Sequence, residues 1–388
     1  MTYTAPSQPT PIATRPRLAY LDNLRVALTV LVVVHHAAAG YSGIPGVWYH
    51  TEPATDGSAG FLAGLVMVNQ GFFMGAFFLI AGVFVPGSYD RKGGRRFIID
   101  RLIRLGIPLL VFVVAIRPLV NYGYYVSARE AVLAQEGVEL PYWLFYLFSW
   151  DPGPMWFVEL LLLFSLCYVL VRRLRRGRRP AAEPRREGRA PGALLVIGLA
   201  VAVAVATYLW RIVVPVGTTV PILGLPTVAY LPQYAALFVV GVLAARNGWL
   251  PSLSATAGRI GFAVAVVAAA GVVLVFRSTG DAFHGLGSPE SLLMAVCESA
   301  LAVGMTLGLL VLFRNRFDRQ TRTGGFLSER AYTVYFTHAL VLVGLGVALS
   351  GLAAPAVVKF LLLAVTGVPL CWLAAHLVLA LPGARKVL

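Results

Sequence analysis

Three ionisable residues fall on one side of the chain's first long apolar segment, residues 18–40. Arg25 and His36 are eleven residues apart, which on an α-helix places them about 20° from each other around the axis. Asp22 lies about 40° to the other side of His36, whereas the adjacent His35 points well away. A neutral imidazole in a partly dehydrated cavity can take a proton from a hydroxyl group. An arginine can pair with a phosphate or a carboxylate, here including that of Asp22.

Ionisable groups inside an apolar segment are costly and most often mark functional sites. The alternative is a structural trio that bridges neighbouring helices. Arg25 and His36 are about 16 Å apart along the helix axis at 1.5 Å per residue. If the N-terminus is cytoplasmic, Arg25 lies toward the cytoplasm, and a donor entering from that side meets Arg25 before His36.

A basic segment, residues 86–108, follows the second apolar segment. Arg95 and Arg96 come after a Gly-Gly pair, and Arg101 and Arg104 lie three residues apart on one predicted helix face. Together these arginines could hold an anionic, phosphate-bearing donor at the membrane surface. Ordinary positive-inside anchoring explains the loop arginines equally well. It explains Arg104 less well, because this residue already lies within apolar sequence.

Further polar residues lie inside apolar segments. Glu159 follows Trp156 in the fourth segment, and Glu298 lies in the eighth; intramembrane carboxylates are candidates for a site. Tyr335 and His338 lie three residues apart in the ninth segment. His338 is either a second functional group or a hydrogen-bonded residue of the helix bundle. Other polar residues that contacts between helices would also explain are Asn69, Gln70 and Arg211.

Composition determines the fold class. The chain is 58% hydrophobic and 13% charged, and its mean hydropathy is +0.77, whereas soluble domains carry about 25% charged residues. The sequence therefore predicts an all-α polytopic membrane protein. The net charge of +15 does not indicate nucleic-acid binding, because the basic residues cluster between apolar segments. Three cysteines within spans give no metal-ligand spacing, and neither a metal nor a tightly bound cofactor is expected.

Hydropathy predicts ten membrane spans. The basic residues concentrate in the alternate loops 86–101, 172–191, 246–258 and 314–330, which predicts that both termini are cytoplasmic. The spans are about 18–40, 61–85, 102–121, 154–171, 192–212, 228–245, 259–276, 291–313, 331–350 and 355–381.

The predicted organisation is a single membrane domain, residues 18–382, between two short tails. Residues 1–17 form a Pro- and Thr-rich disordered tail, and residues 383–388 a cytoplasmic one. The basic linker 172–191 serves orientation and attraction to anionic lipid. The outer segment 122–153 contains an aromatic stretch, YWLFYLFSW, that is too short to span and is interpreted as interfacial.

Several segments resemble the membrane acyltransferase 3 family. LDNLRVALTVLVVVHH resembles its Arg-x10-His signature. QGFFMGAFFLIAGVFVPGSYDRKGGRRFIIDRLIRLGIPLL is similar to its FF-x-x-x-G segment, basic loop and R-x-x-R-x-x-x-P helix start. GPMWFVELLLLFSL resembles its Trp-Phe segment, and SERAYTVYFTHAL its late helix. The adjacent histidines and the lack of a fused hydrolase domain look most like the periplasmic glucan-modifying branch.

The resemblance implies transfer of an acetyl or succinyl group from cytoplasmic acyl-CoA, a co-substrate, to a hydroxyl of an extracytoplasmic glycan. The enzyme would be a multi-pass protein of the inner or plasma membrane. His36 would be the catalytic base, Arg25 its partner on the donor side, and Arg101 and Arg104 would help to bind the donor. Asp22, from the polar stripe of the first helix, completes the candidate catalytic residues. The remaining candidates for substrate or donor binding are Arg96, Glu159, Trp156, Tyr335 and His338.

Two other function classes stay open at this point. A transporter of glycans or small anionic solutes could use the same polar residues as a path, but such folds often show two similar halves, which this sequence lacks. A scaffold protein leaves the intramembrane His, Arg and Glu residues unexplained. The choice between His35 and His36 depends on the ten-residue spacing and the helical angle alone. The sequence leaves open the acceptor, acyl length, oligomeric state, and direct transfer versus an acyl-enzyme.

Overall fold

A computed structural model describes residues 18–175, 188–219 and 224–388. These residues are mostly helical, without a strand, and contain nine helical stretches long and apolar enough to cross a membrane. This confirms the all-α polytopic membrane fold. The predicted tail 1–17 and most of the predicted linker 172–191 lie outside the described residues.

The α-helices, in chain order, are α1 Ala19–Gly40, α2 Ser58–Gln70, α3 Phe73–Arg101, α4 Ile107–Val111, α5 Arg117–Val120, α6 Tyr122–Glu136, α7 Tyr142–Phe148, α8 Trp156–Leu174, α9 Ala193–Val213, α10 Leu231–Asn247, α11 Ala255–Ser278, α12 Pro289–Arg316, α13 Arg322–Leu349, α14 Ala356–Ala380 and α15 Ala384–Val387. Hydroxyl side chains cap the first turns of three long helices: those of Ser254, Ser288 and Thr321 accept a backbone N–H three residues later. Such caps satisfy amide groups that the helix itself leaves without partners.

The longest helical stretch, Ser58–Val120, has 63 residues and would extend for about 94 Å if it were straight. It is not straight, because Gly93 has φ 73° and ψ 163°, a conformation that glycine adopts without a steric penalty. The rings of Tyr89 and Phe97 lie 5.9 Å apart, although eight helical residues would separate them by about 12 Å along a straight axis. The chain folds back at Gly93, so this stretch contains the predicted second and third spans.

The second half of this stretch departs from the continuous α-helix assumed from the sequence. Leu102–Gly106 and Phe112–Ile116 are π-helical turns. Pro108 has no N–H to donate to the carbonyl of Arg104, four residues earlier, and the Tyr332 hydroxyl donates to that carbonyl at 2.8 Å. The Tyr146 hydroxyl likewise donates to the carbonyl of Val113, five residues before Pro118. Tyrosines from elsewhere in the chain thus fill the positions that the two prolines leave open.

Contacts between loops agree with the predicted alternation of sides. The start of α1 and three loops predicted to be cytoplasmic meet at one end of the bundle. These contacts are Asn23 with Phe317, Asp90 with Arg246, and Arg314 with Leu250. Loops predicted to be external meet at the other end. These contacts are Glu52 with Lys359, Tyr124 with Trp48, and Val216 with His284. Which end faces the cytoplasm stays a prediction from the charges.

Close helix packing uses glycines. A Cβ atom on Gly82 of α3 would lie 2.2 Å from the carbonyl oxygen of Phe238, and one on Gly241 of α10 would lie 2.1 Å from that of Leu79. Small residues let helix backbones approach closely within a membrane. Outside the long helices, α6 and the seven-residue α7 occupy the segment predicted as external, and α7 is too short to span.

Candidate active site

One face of α13 contacts most of the candidate groups. Its residues Ser328, Tyr332, Tyr335 and His338 follow one another at intervals of four, three and three, which keeps them on one side of a helix. Each one meets a different part of the chain. The Ser328 carbonyl accepts a hydrogen bond from Arg25 at 3.2 Å. The hydroxyls of Tyr332 and Tyr335 donate to the backbone carbonyls of Arg104 and Pro154. His338 Nε2 lies 3.2 Å from His36 Nδ1.

The two histidines form the centre of this arrangement. His338 is fully buried, His36 is half-buried, and their ring centroids are 5.0 Å apart. The Trp48 indole stacks on the His36 ring at 4.0 Å and lies 5.8 Å from the His338 ring. The spacing of Arg25 and His36 in the sequence could not reveal that His338 and Trp48 lie beside His36. The pair places two proton-exchanging groups within hydrogen-bond reach of each other.

His35 has different surroundings. Its ring packs against Phe73 at 4.8 Å, and its buried Nδ1 atom has no hydrogen-bond partner among the described residues. His36 is the histidine that faces His338. The helical angle predicted this difference between neighbouring residues.

The segment between α1 and α2 covers the histidine pair, and a buried polar group holds it there. The Tyr124 hydroxyl donates to Trp48 O, and the Tyr49 hydroxyl donates to Asp151 Oδ1 at 3.3 Å. Asp151 in turn accepts from the fully buried Arg117 at 2.7 Å. Burial, followed by the nearby Asp151 carboxylate, raises the pKa of Tyr49 well above its ordinary value, so its hydroxyl keeps its proton. Sequence reasoning missed this group, although a lone arginine inside an apolar span was a signal for it.

Arg25 lies about three turns from His36, toward the start of α1. Its guanidinium is 3.0 Å from the carboxylate of Asp22, and its side chain is 34% exposed. The same guanidinium donates to the Ser328 carbonyl. Arg25 therefore joins α1 to α13 and also presents part of its surface to solvent, as a group that meets an incoming anion requires.

The basic segment lies at the same end of α13. Arg96 and Arg104 are exposed, and the half-buried Arg101 lies over the Phe97 ring at 5.1 Å. A pocket of about 480 Å³ opens beside Gly93, with Lys92, Arg95 and Arg96 in its lining. Its basic lining is suited to an anionic group.

Comparison with known protein families gives the family of the chain. The family model described as an acyltransferase domain matches residues 18–376. The chain belongs to the acyltransferase 3 family. It is accordingly a multi-pass membrane acyltransferase. Comparisons with curated proteins and with solved structures give no match.

Not every predicted site residue of this acyltransferase lies beside the histidines. Trp156 is buried and stacks on Tyr234 at 5.4 Å. Glu159 is half-buried, one turn further along α8, and makes no hydrogen bond within the described part of the chain. Tyr335 connects the two regions, because its ring lies 5.7 Å from that of His338 while its hydroxyl donates to Pro154 O, just before Trp156. Roles for these residues in substrate binding stay predictions.

The acyltransferase has a second buried polar pair far from the histidines in sequence. Arg211 of α9 and Glu298 of α12 are separated by 2.7 Å, and the Tyr230 hydroxyl donates to Glu298 at 3.1 Å. Both residues were singled out from the sequence, but their pairing was not expected. Among residues 18–175, 188–219 and 224–388, no group of three or more His, Cys, Asp or Glu side chains could hold a metal ion.

Proposed function

We propose that this acyltransferase transfers an acetyl or succinyl group from cytoplasmic acyl-CoA to a hydroxyl group of an extracytoplasmic glycan, with His36 as the base. The observation that carries the proposal is the single face of α13, which contacts Arg25 and Arg104 toward one end and His36 toward the other. Groups suited to an anionic donor and a group suited to proton transfer therefore lie in order along one helix.

The end of the bundle proposed to bind the acyl donor carries a cluster of positive charges. Arg25, Arg101 and Arg104 lie near the end of the bundle that the positive-inside rule predicts to be cytoplasmic. Arginine binds phosphate through a planar fork of N–H donors, and the phosphates of coenzyme A carry several negative charges. With the phosphates held here, the long flexible arm of the coenzyme would extend along α1 and α13 toward His36.

The reaction follows from the chemistry of a thioester and a hydroxyl. His36 takes the proton of the acceptor hydroxyl, and the oxygen attacks the thioester carbonyl carbon. The carbon–sulfur bond then breaks, an ester forms, and the departing sulfur takes the proton from His36. Holding both substrates in one partly dehydrated cavity supplies much of the rate. Direct transfer in this form needs no covalent enzyme intermediate.

The acceptor end is the less defined part. A glycan of the kind handled by periplasmic glucan-modifying enzymes is the acceptor that the resemblance favours. Tyr335 lies one turn before His338 on α13, and its hydroxyl donates to Pro154 O, just before Trp156 and Glu159 of α8. Tyr335, Trp156 and Glu159 are the proposed contacts for the glycan. Aromatic rings and carboxylates are suited to the apolar faces and hydroxyl groups of sugars.

The test uses purified protein in lipid vesicles with radiolabelled acetyl-CoA or succinyl-CoA and a panel of glycans. Wild type should consume one donor only when an acceptor is present. His36→Ala should lose about 10²-fold to 10⁴-fold in kcat, the usual contribution of a general base. His35→Ala is the matched control, since it removes an imidazole of the same size from the adjacent position.

All three proteins would first be shown to be folded and equally inserted. If His35→Ala lost transfer activity while His36→Ala kept full activity, the assignment of His36 as the base would be wrong. Transfer from an acyl donor other than a CoA thioester would overturn the donor assignment. The family membership would stand in either case.

A further inference from the structure

The hydrogen bonds of His338 determine where its proton lies. A neutral imidazole has one nitrogen that donates and one that accepts. His338 Nδ1 lies 2.7 Å from the backbone carbonyl oxygen of Tyr335. A carbonyl oxygen only accepts, so His338 Nδ1 must carry the hydrogen. His338 Nε2 is therefore the accepting nitrogen.

The position of the hydrogen on His338 also determines the position of the hydrogen on His36. His338 Nε2 faces His36 Nδ1 at 3.2 Å, and two accepting nitrogens could not form a hydrogen bond. In this contact His36 Nδ1 is therefore the donor, which leaves His36 Nε2 without a hydrogen. The backbone carbonyl of Val32, one turn earlier in α1, is a further acceptor for His36. A free imidazole in water favours the opposite form, with its hydrogen on Nε2. The surroundings of His36 thus select its less common tautomer.

The packing keeps His338 in this orientation. Its side chain is fully buried, and its acceptor, the Tyr335 carbonyl, lies in the same helix. The Tyr335 hydroxyl fixes that turn of α13 to the Pro154 carbonyl, and the Trp48 indole covers both imidazoles. Rotation of the His338 ring by 180° about χ2 would break its bond to Tyr335 O. The orientation is therefore a property of the folded bundle.

We propose that His338 is a positioning residue that holds His36 in the Nδ1–H tautomer, so that the lone pair of His36 Nε2 is the one that accepts the substrate proton. This inference rests on the function proposed above. A base oriented by a third group recurs in unrelated transferases and hydrolases. Here the third group is a neutral imidazole whose own orientation comes from a backbone carbonyl.

The same contact assists after proton transfer. Once Nε2 has accepted a proton, His36 carries a positive charge, and its Nδ1–H bond to His338 becomes charge-assisted and therefore stronger. His338 itself need not touch either substrate. A change at His338 should then affect kcat much more than the KM for donor or acceptor.

The kinetic test compares two substitutions. His338→Leu removes the acceptor and should lower kcat about 10²-fold with both KM values nearly unchanged, because most of the base contribution is lost. His338→Gln places an amide oxygen within reach of His36 Nδ1 and should recover activity to within about tenfold of wild type. Full activity of His338→Leu, or equal losses in both variants, would overturn the inference.

A spectroscopic measurement reports the tautomer without any turnover. Protein carrying ¹³C- and ¹⁵N-labelled histidine would be studied in lipid by solid-state NMR, with the signals of His36 identified by their loss in His36→Ala. Wild type and His338→Gln should show the Nδ1–H form at position 36, and His338→Leu mainly the Nε2–H form. An Nε2–H form in wild type would overturn the inference, whether or not acyl transfer from CoA is found. The expected pattern would support it even if the proposed donor proved wrong.

Discussion

Among the described residues of this acyltransferase, the pairs Arg211–Glu298 and His36–His338 both connect distant helices, and they differ in their exposure. Arg211 and Glu298 are 0% and 4% exposed in their side chains, and Arg211 also lies over the Tyr230 ring at 4.7 Å. His36 and His338 also meet within the bundle, but His36 is half-buried and uses one ring nitrogen for the contact. The ion pair is almost fully enclosed, with its opposite charges 2.7 Å apart, whereas His36 of the histidine pair keeps part of its surface exposed.

From this difference we infer that an ionisable residue inside an apolar span does not by itself mark a reactive site. The charges of Arg211 and Glu298 compensate each other, and the pair joins α9 to α12 with Tyr230 beside it. Separating the partners would leave a charge in a medium that solvates it poorly. We therefore expect the ion pair to act on stability and the histidine pair to act on catalysis.

The largest effect on stability should come from Glu298→Leu. Removing the carboxylate leaves the Arg211 guanidinium buried without its counter-charge, which should cost about 3–5 kcal/mol of folded stability. Thermal unfolding in detergent, followed by tryptophan fluorescence, would measure the change. Transfer activity per folded molecule should be close to wild type.

The matched control replaces both partners. Arg211→Met combined with Glu298→Leu removes both charges and should recover most of the lost stability, because apolar side chains of similar volume can replace a buried ion pair. A Glu298→Leu protein that is as stable as wild type but inactive would reverse the comparison. It would make the ion pair part of the active site.

A smaller effect is expected from Arg25→Lys. Lysine keeps the charge but lacks the planar fork that contacts Asp22, Ser328 and a phosphate together. The KM for acyl-CoA should rise about tenfold, corresponding to about 1.4 kcal/mol, with a smaller change in kcat. Steady-state kinetics with varied donor would separate this effect from that of His36→Ala, which should act on kcat.

Arg129→Lys provides the control for charge-preserving arginine substitutions. Arg129 pairs with Glu139 at 2.6 Å on the exposed surface of α6, at the other end of the bundle from Arg25, and surface pairs contribute little. Its kinetics should match wild type. A tenfold rise in KM in Arg129→Lys as well would show that the Arg25 effect is not specific to the donor end.

The sequence predicted the parts of the site that depend on local helix geometry. The angle between Arg25 and His36 follows from one helix, and the spacing of Tyr335 and His338 from another. Contacts between helices do not follow from such spacing, so the meeting of His36 with His338 and of Arg211 with Glu298 appeared only in three dimensions. Trp48 was missed because it lies in a loop, where no periodicity indicates which way a side chain points.

The π-helical turns show a second limit of sequence patterns. Pro108 predicts a missing hydrogen bond at Arg104, but the sequence does not show what fills it. In the structure the Tyr332 hydroxyl does so. Tyr332 therefore contacts the proposed donor-binding end through the backbone of Arg104 and not through a charged group.

The smallest effect, and the finest test of the donor end, should come from Tyr332→Phe. Loss of one hydroxyl-to-carbonyl bond should cost about 1 kcal/mol and raise the KM for acyl-CoA a few-fold through a shift of Arg104. Pro108→Ala restores an N–H that can donate to the same carbonyl. In a Pro108→Ala background, Tyr332→Phe should therefore cost much less than it does alone, which a double-mutant cycle would measure. If Tyr332→Phe had the same effect in wild type and in Pro108→Ala, the hydrogen bond from Tyr332 to the Arg104 carbonyl would not explain its effect.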